Sequence, residues 1–194
     1  METKRKLLKA AEEVFFENGF QKTTIQQIIK VAETGYGTAY VYFKNKEEFL
    51  VEMIHETMEE FYQVASLPFT PSSQKEAEQL IAHQVKLFLS LGLKNRKLMK
   101  IIKEAIGVSE IIEKKWQSIR DRFIVSITND IIYAQSLALA NQELLPSIVA
   151  RSWFYTNEMF MWELIHSDDE KEIDHLVKHM TVLYTRGLYT TVEL

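Results

Sequence analysis

The chain of 194 residues is 46% hydrophobic and contains no cysteine, so it can bury a substantial core but cannot form disulfides or thiolate metal sites. No apolar run reaches about 18 residues, and no basic segment followed by an apolar one begins the chain. The sequence therefore predicts neither a membrane span nor an export signal, and it indicates a cytoplasmic protein. Helical spacing of apolar residues nearly throughout, with only six glycines and three prolines, favours an all-α fold.

Charge is distributed unevenly along the chain. The net charge is −4, yet residues 1–50 carry eight Lys or Arg against seven Asp or Glu. Nucleic acid repels an acidic body, so any binding of DNA would depend on cations clustered in this first segment. The composition permits DNA binding without requiring it.

The first helix is predicted over roughly residues 3–18. An apolar stripe at helical spacing identifies its buried face, and Asn18-Gly19 supplies its C-terminal stop. The stripe consists of Leu7, Ala11, Val14 and Phe15. We expect it to pack against the next two helices and so to form a small three-helix head.

Two short helices follow and a long one begins. Thr24, with glutamines at the spacing of a capping box, begins the second helix, and the glycines around Tyr36 restrict the third to roughly residues 35–42. Asn45 is a good N-cap for the long fourth helix, since two glutamates follow it where the helix dipole favours negative charge. Two short helices joined by a tight turn are typical of a motif that docks in the DNA major groove.

The residues of this segment resemble the helix-turn-helix of TetR/AcrR-type transcriptional regulators. The similarity covers about the first 50 residues and consists of Asn18-Gly19-Phe20, Thr23-Thr24-Ile25-x-x-Ile28, Ala32 and the run from Gly37 to Glu48. The resemblance implies an all-α homodimer with a helix-turn-helix domain at 1–48 and a helical effector-binding and dimerisation domain at 49–194. It implies a ligand-responsive repressor that binds a pseudo-palindromic double-stranded DNA operator.

The resemblance also implies which residues contact DNA. Tyr40, Tyr42, Thr24 and Lys46 correspond to phosphate contacts, and Gln26, Tyr36 and Thr38 correspond to positions that face base edges. The full expected set is Thr24, Gln26, Gly35, Tyr36, Thr38, Tyr40, Tyr42, Lys44 and Lys46.

The turn between the two short helices departs from the family pattern. Glu33 stands where glycine is usual, and a left-handed conformation there would cost roughly 1 to 2 kcal/mol for a residue with a Cβ. We therefore expect a reshaped turn in which Gly35 takes the unusual backbone angle.

Six helices are predicted for the body, which brings the expected total to about nine. The fourth helix runs to about residue 66, and a segment with two prolines forms a loop before residue 74. Breaks at Gly92, Gly107, Asn141 and Asp168-Asp169 then give helices over about 74–92, 95–106, 109–140, 142–166 and 170–191.

The last two helices are predicted to form a dimer interface. Side chains between Ile148 and Ile165 are apolar in nearly every direction, and the final helix carries a long apolar stripe, so we expect a second chain to cover part of this surface. Family members dimerise through these helices. The expected interface residues are Trp153, Phe160, Leu164, Leu176, Met180, Leu183, Tyr184 and Leu188.

Aromatic residues of the body suggest a small-molecule pocket in the helical bundle. The candidates are Phe88, Met99, Trp116, Phe123, Tyr133, Trp153 and Asn157. The alternative is that each simply belongs to the core. Few charges accompany these aromatics, which favours a lipophilic effector.

No catalytic motif is present: we find no nucleophile elbow, no phosphate-binding loop and no dinucleotide fingerprint, so no enzyme and no cofactor are predicted. His175 and His179 are spaced for one helical face near Asp168 and Asp169, but no third helical ligand accompanies them, and we predict no metal site. A helical carrier or adaptor whose head has lost DNA binding is the alternative function. Steep salt dependence of duplex affinity would favour the regulator over the carrier.

Overall fold

The computed structural model describes residues 2–167 and 172–188. In this part of the chain there are nine α-helices and no strand, which confirms the expected all-α fold. None of these helices is both long and apolar enough to cross a membrane. The helices are α1 (Glu2–Lys22), α2 (Ile25–Val31), α3 (Tyr36–Tyr42), α4 (Lys46–Ala65), α5 (Gln74–Lys94), α6 (Arg96–Ile106), α7 (Glu110–Ser136), α8 (Pro146–Leu164) and α9 (Glu172–Leu188).

The chain divides into two compact units. One consists of residues 1–59 and 95–118, and the other of residues 60–94 and 119–194. The sequence suggested a division after residue 48, whereas the N-terminal unit extends further along α4 and includes α6. The physical reason is that α6 packs directly on α1, so that residues distant in sequence share one core.

The core of the N-terminal unit is built on the predicted stripe of α1. All of its members are buried, as are the inward residues of α2. Phe43, at the end of α3, stacks on Phe49 of α4 with ring centroids 3.9 Å apart. Met99 of α6 and Trp116 of α7 are buried in this unit as well.

In the C-terminal unit, α5 packs against α8 and α9. The predicted helix break at Gly92 is wrong, because α5 continues to Lys94. Gly92 is buried, and a Cβ at this position would lie 2.7 Å from Cγ of Met161 on α8. The glycine therefore allows two helices to approach closely and does not end a helix.

The predicted limits of the later helices also need correction. α7 ends at Ser136, four residues before the expected 140, and α8 begins at Pro146 instead of 142. Ala138 takes a left-handed conformation with φ of 54°, and N–H groups of Ala138 and Leu139 donate to carbonyls of α7. This arrangement satisfies the free carbonyls and stops the helix. The expected extension of the last helix to 170–171 and 189–191 lies outside the described residues.

Candidate nucleic-acid interface and body cavities

The start of α2 is fixed by a capping box, as predicted. The backbone N–H of Gln27 donates to Oγ1 of Thr24 at 3.3 Å, and the N–H of Thr24 donates to Oε1 of Gln27 at 2.7 Å. Both backbone donors are therefore satisfied by side chains of the same helix turn. Gln26, between them, is exposed and makes no contribution to the cap.

The turn after α2 places its left-handed residue at Glu33, with φ of 47°. Thr34 donates its N–H to the carbonyl of Ile29, and Glu33 donates to that of Lys30, which is the Schellman pattern of a helix C-terminus. The prediction that Gly35 takes the unusual angle is wrong: Gly35 is extended, with φ of −67° and ψ of 141°, and caps α3. The hydrogen-bond pattern at the end of α2, and not the type of residue, therefore determines which position adopts the left-handed conformation.

Helix α3 buries very little of its surface in the head. Ala39 is its one buried residue. Side chains on the remaining faces are exposed, and they are those of Tyr36, Thr38, Tyr40, Val41 and Tyr42. A helix that leaves most of its side chains free, with hydroxyls among them, is suited to enter a groove of another molecule.

Lys46 has a different position from the one expected. Its ammonium lies 2.7 Å from the carbonyl oxygen of Phe20, 3.2 Å from that of Gln21 and 3.0 Å from that of Thr23. It also lies 4.4 Å from the centroid of the Phe20 ring. An ammonium has three N–H donors, and these carbonyls occupy them. The expected phosphate contact of this ammonium is therefore contradicted: Lys46 ties the start of α4 to the end of α1.

Glu104 of α6 is a structural residue of the head that the sequence did not reveal. Its carboxylate accepts the backbone N–H of Phe20 at 2.9 Å and that of Gln21 at 3.0 Å. These donors become available because Gly19 takes a φ of 76° and interrupts α1. The position of Glu104 three residues after the buried Ile101, on the inward side of α6, was the available signal.

Exposed cations surround the head, although not all basic residues are free. Lys4 pairs with Glu52 at 2.6 Å, and Lys6 lies 3.9 Å from Glu33. Other basic side chains of the head are exposed, and these are Arg5, Lys9, Lys22, Lys30 and Lys44. Of the expected DNA contacts, Thr24, Gln26, Gly35, Tyr36, Thr38, Tyr40, Tyr42 and Lys44 are all exposed in the N-terminal unit.

The C-terminal unit contains a cavity of about 70 Å³, hereafter the central cavity. It brings together four of the residues proposed from the sequence, and its complete lining is Val64, Ala65, Gln84, Val85, Phe88, Phe123, Ser126, Ile127, Asp130, Trp153, Phe154 and Asn157. Met99 and Trp116 are not among them, because they are core residues of the N-terminal unit. Tyr133 is absent too, since its side chain is exposed.

Aromatic rings form one wall of the central cavity. The ring of Phe123 lies 5.9 Å from that of Phe88 and 5.4 Å from that of Phe154. A second cavity, of about 30 Å³, shares Gln84, Ile127, Asp130 and Trp153 with the first. Burial raises the pKa of the Asp130 carboxyl to about 7. Periodicity could not have revealed Asp130, because an acidic residue on a long helix is ordinarily solvated.

A wide apolar groove of about 430 Å³ lies along α8 and α9. Trp153, Phe160, Leu183 and Tyr184 line it as expected, and Leu183 is 77% exposed. Met180 and Leu188 form its floor but are themselves 4% and 2% exposed. Leu164 is buried in its own unit and Leu176 does not line the groove, so the groove contains six of the eight expected interface residues, and the interface itself stays a prediction.

His175 and His179 are both exposed on α9. The neighbouring Asp168 and Asp169 lie outside the described residues. Among residues 2–167 and 172–188, no three acidic or histidine side chains are close enough to hold a metal ion.

Comparison with known proteins agrees with this architecture. Residues 7–53 match the model of bacterial regulatory proteins of the tetR family. The chain is 28% identical over 177 residues to an uncharacterized HTH-type transcriptional regulator, YhgD, of Bacillus subtilis (strain 168), covering 89% of this chain and 90% of the relative.

Two solved structures show the same fold over nearly the whole length. GusR of Salmonella enterica superposes with a TM-score of 0.76 at 18% identity, over 95% of this chain and 94% of that chain. The complex of SmeT with triclosan superposes with a TM-score of 0.75 at 20% identity, over 98% and 93%. The helix-turn-helix geometry and the family match over residues 7–53 confirm the resemblance seen in the sequence: the head of this chain is similar to that of the tetR family of bacterial regulatory proteins.

Proposed function

We propose that the protein is a ligand-responsive repressor that binds a pseudo-palindromic operator as a homodimer. The observation that carries this proposal is the exposure of α3, which buries Ala39 alone between Tyr36 and Tyr42 and offers hydroxyl-bearing side chains on its free faces. Since a regulator of this kind works where its DNA is, we expect it in the cytoplasm.

Contacts with DNA divide into two kinds. Tyr40, Tyr42 and Thr24 offer hydroxyls, and Lys44 an ammonium, to phosphates, which positions the head without reading sequence. Gln26, Tyr36 and Thr38 are placed to reach base edges, and a glutamine can pair with adenine through two hydrogen bonds. Gly35 lets the backbone before α3 approach closely. Lys46 stabilises the head that carries this surface, because its ammonium joins the start of α4 to the end of α1.

Dimerisation is expected to use the groove of α8 and α9. The groove is apolar, and it includes the exposed Leu183 and Ile148, which a second copy would cover. A two-fold dimer presents two copies of α3, and binding requires their separation to match successive major grooves, about 34 to 36 Å apart.

The central cavity is the proposed effector site. Its walls are aromatic and aliphatic. SmeT, which has a similar fold, has been solved in complex with the small molecule triclosan. At about 70 Å³ the cavity is smaller than the roughly 150 Å³ that holds a benzene ring in an engineered protein. A ligand larger than the cavity must therefore enlarge it by moving the surrounding helices. We propose that the ligand binds preferentially to dimers whose two heads are not spaced to fit the operator, and so shifts the population toward them.

Selection from a random duplex library by the purified protein tests the proposal. We expect an enriched inverted repeat and a steep fall of affinity with salt. Tyr40→Ala should weaken binding to all duplexes, whereas Tyr133→Ala, at another exposed tyrosine, should leave it unchanged. If no motif is enriched and affinity is flat against salt for all three proteins, the carrier alternative is favoured and the repressor is rejected.

A further inference from the structure

Asp130 is the one charged side chain among the described residues that line the central cavity, and it also lines the smaller cavity beside it. It lies on α7. The residues facing it from α4, α5, α8 and α9 include no Lys, Arg or His, and Tyr184 is the other titratable side chain, on the wall of the smaller cavity. Within residues 2–167 and 172–188, the carboxylate has no hydrogen-bond or ion-pair partner.

An acidic group in such a position is unusual. Buried charges are ordinarily paired, because removing a carboxylate from water is costly unless a cation or hydrogen-bond donors replace the water. The raised pKa of Asp130 reflects this missing compensation. The carboxylate is partly buried against apolar walls, and the described part of the chain supplies no counter-ion.

The neighbouring rings provide a second form of attraction for positive charge. Trp153, Phe88, Phe123 and Phe154 surround the same space, and the faces of aromatic rings carry negative electrostatic potential. A cation above such faces is stabilised, most strongly by the indole. A carboxylate combined with several aromatic faces is the chemistry that recognises an organic cation.

We propose that the effector is a lipophilic organic monocation, an amine or a quaternary ammonium, whose charged end faces Asp130 and whose apolar body lies against the aromatic wall. This inference rests on the proposed function, since it names the ligand class of the effector site. A fatty acid is disfavoured, because its carboxylate would meet a second negative charge.

Two probes of equal shape and different charge test this proposal with the full-length protein. Benzyltrimethylammonium carries one positive charge, and neopentylbenzene has a carbon atom in place of the nitrogen. We expect the wild type to bind the cation about tenfold more tightly than the neutral probe, measured by calorimetry at pH 8. Asp130→Asn should lose this preference, and Asp121→Asn, at an exposed position of the same helix, should keep it.

The pH dependence gives an independent measurement. The quaternary probe does not titrate, so any change reports on the protein. If protonated Asp130 binds the cation as weakly as Asp130→Asn does, a pKa of about 7 means that affinity falls about fivefold between pH 8 and pH 6. The Asp130→Asn variant should show no such fall. Gln84→Lys, which would place an internal cation beside Asp130 in both cavities, should abolish cation binding in a folded protein.

Equal affinity of wild type and Asp130→Asn for the cation would overturn the proposal, and so would a preference of the wild type for the neutral probe. Duplex binding without any probe is measured in parallel. Loss of charge selectivity with intact DNA binding rejects the cationic effector alone. Absence of DNA binding with intact charge selectivity rejects the proposed repressor and leaves the cation site standing.

Discussion

At the scale of single residues, two side chains of the head perform tasks that their types do not suggest. Glu33 occupies the left-handed position at the end of α2, where glycine would be free of strain. Lys46 has the charge of a phosphate contact, yet its ammonium closes the end of α1. Both positions can be tested separately, because one concerns backbone strain and the other concerns hydrogen bonds.

We expect Glu33→Gly to stabilise the protein by roughly 0.5 to 1 kcal/mol, since relief of the strain exceeds the added entropy of the unfolded chain. The distance of 3.9 Å to Lys6, between exposed groups, indicates a weak ion pair with little to lose. Urea unfolding measures the difference. Glu33→Gln keeps the strain and removes the charge, so it should remain close to wild type, and equal stabilisation by both variants would refute the strain argument.

Lys46→Ala should destabilise the protein by about 1 to 3 kcal/mol, because carbonyls at the end of α1 lose a charged donor. Its effect on the salt dependence of DNA binding should be small at temperatures where it is folded. Lys44→Ala should do the opposite: stability stays within about 0.5 kcal/mol, and the slope of log affinity against log salt flattens by about one unit. Thermal melts and salt titrations of the pair distinguish these roles, and a reversed outcome would restore the phosphate contact to Lys46.

At the scale of helices, local capping sets the limits of the two short helices of the head, whereas packing between helices sets those of the long α5. α2 and α3 begin and end where capping residues dictate, since each is only seven residues long. α5 ignores the glycine within it, because its packing against α8 matters more than the propensity of one residue. Packing between helices therefore decides whether a glycine lies inside a helix or ends it.

Gly92→Ala is expected to destabilise the protein by about 1 to 3 kcal/mol, although helix propensity alone predicts a gain of about 1 kcal/mol. The added Cβ would meet Met161, whose side chain is buried and has little room to move. In a Met161→Ala background the same change should be neutral or stabilising. Chemical denaturation of the single and double variants measures this coupling, and a stabilised Gly92→Ala single variant would rule out the steric explanation.

At the scale of the whole molecule, the proposed function needs two chains. The groove along α8 and α9 offers an apolar surface, and the head offers one proposed recognition helix per chain. An operator with two half-sites is recognised tightly only when both helices are presented together. Dimerisation and DNA affinity should therefore be lost together.

Leu183→Glu should split the dimer while leaving the chain folded, because Leu183 is largely exposed within one chain. Met180→Glu should unfold the chain instead, since that side chain is buried in its own unit. Sedimentation velocity and circular dichroism distinguish the two results. Val125→Glu, at an exposed apolar residue outside the groove, serves as the control and should remain dimeric. A dimeric Leu183→Glu variant would remove the groove from the interface.

Local signals in the sequence predicted much of the head correctly. The capping box of Thr24, the N-cap of Asn45 and the break at Gly19, after which α1 continues to Lys22 instead of ending, each involve residues within about four positions of one another. Their geometry depends on the backbone of a single helix turn. The family resemblance then supplied the expected DNA contacts, and their exposure agrees with that role without testing it.

The sequence by itself determined the helical class and most helix limits in the head, because periodicity and capping act over a few residues, and the motif of the head carried the family resemblance. Only the tertiary structure showed that Glu104 caps a turn more than 80 residues away, that Met99 and Trp116 are absent from the central cavity, and that Asp130 lines it. The physical reason is that a periodic pattern tells which side of a helix is apolar. What covers that side depends on contacts between segments far apart in the chain.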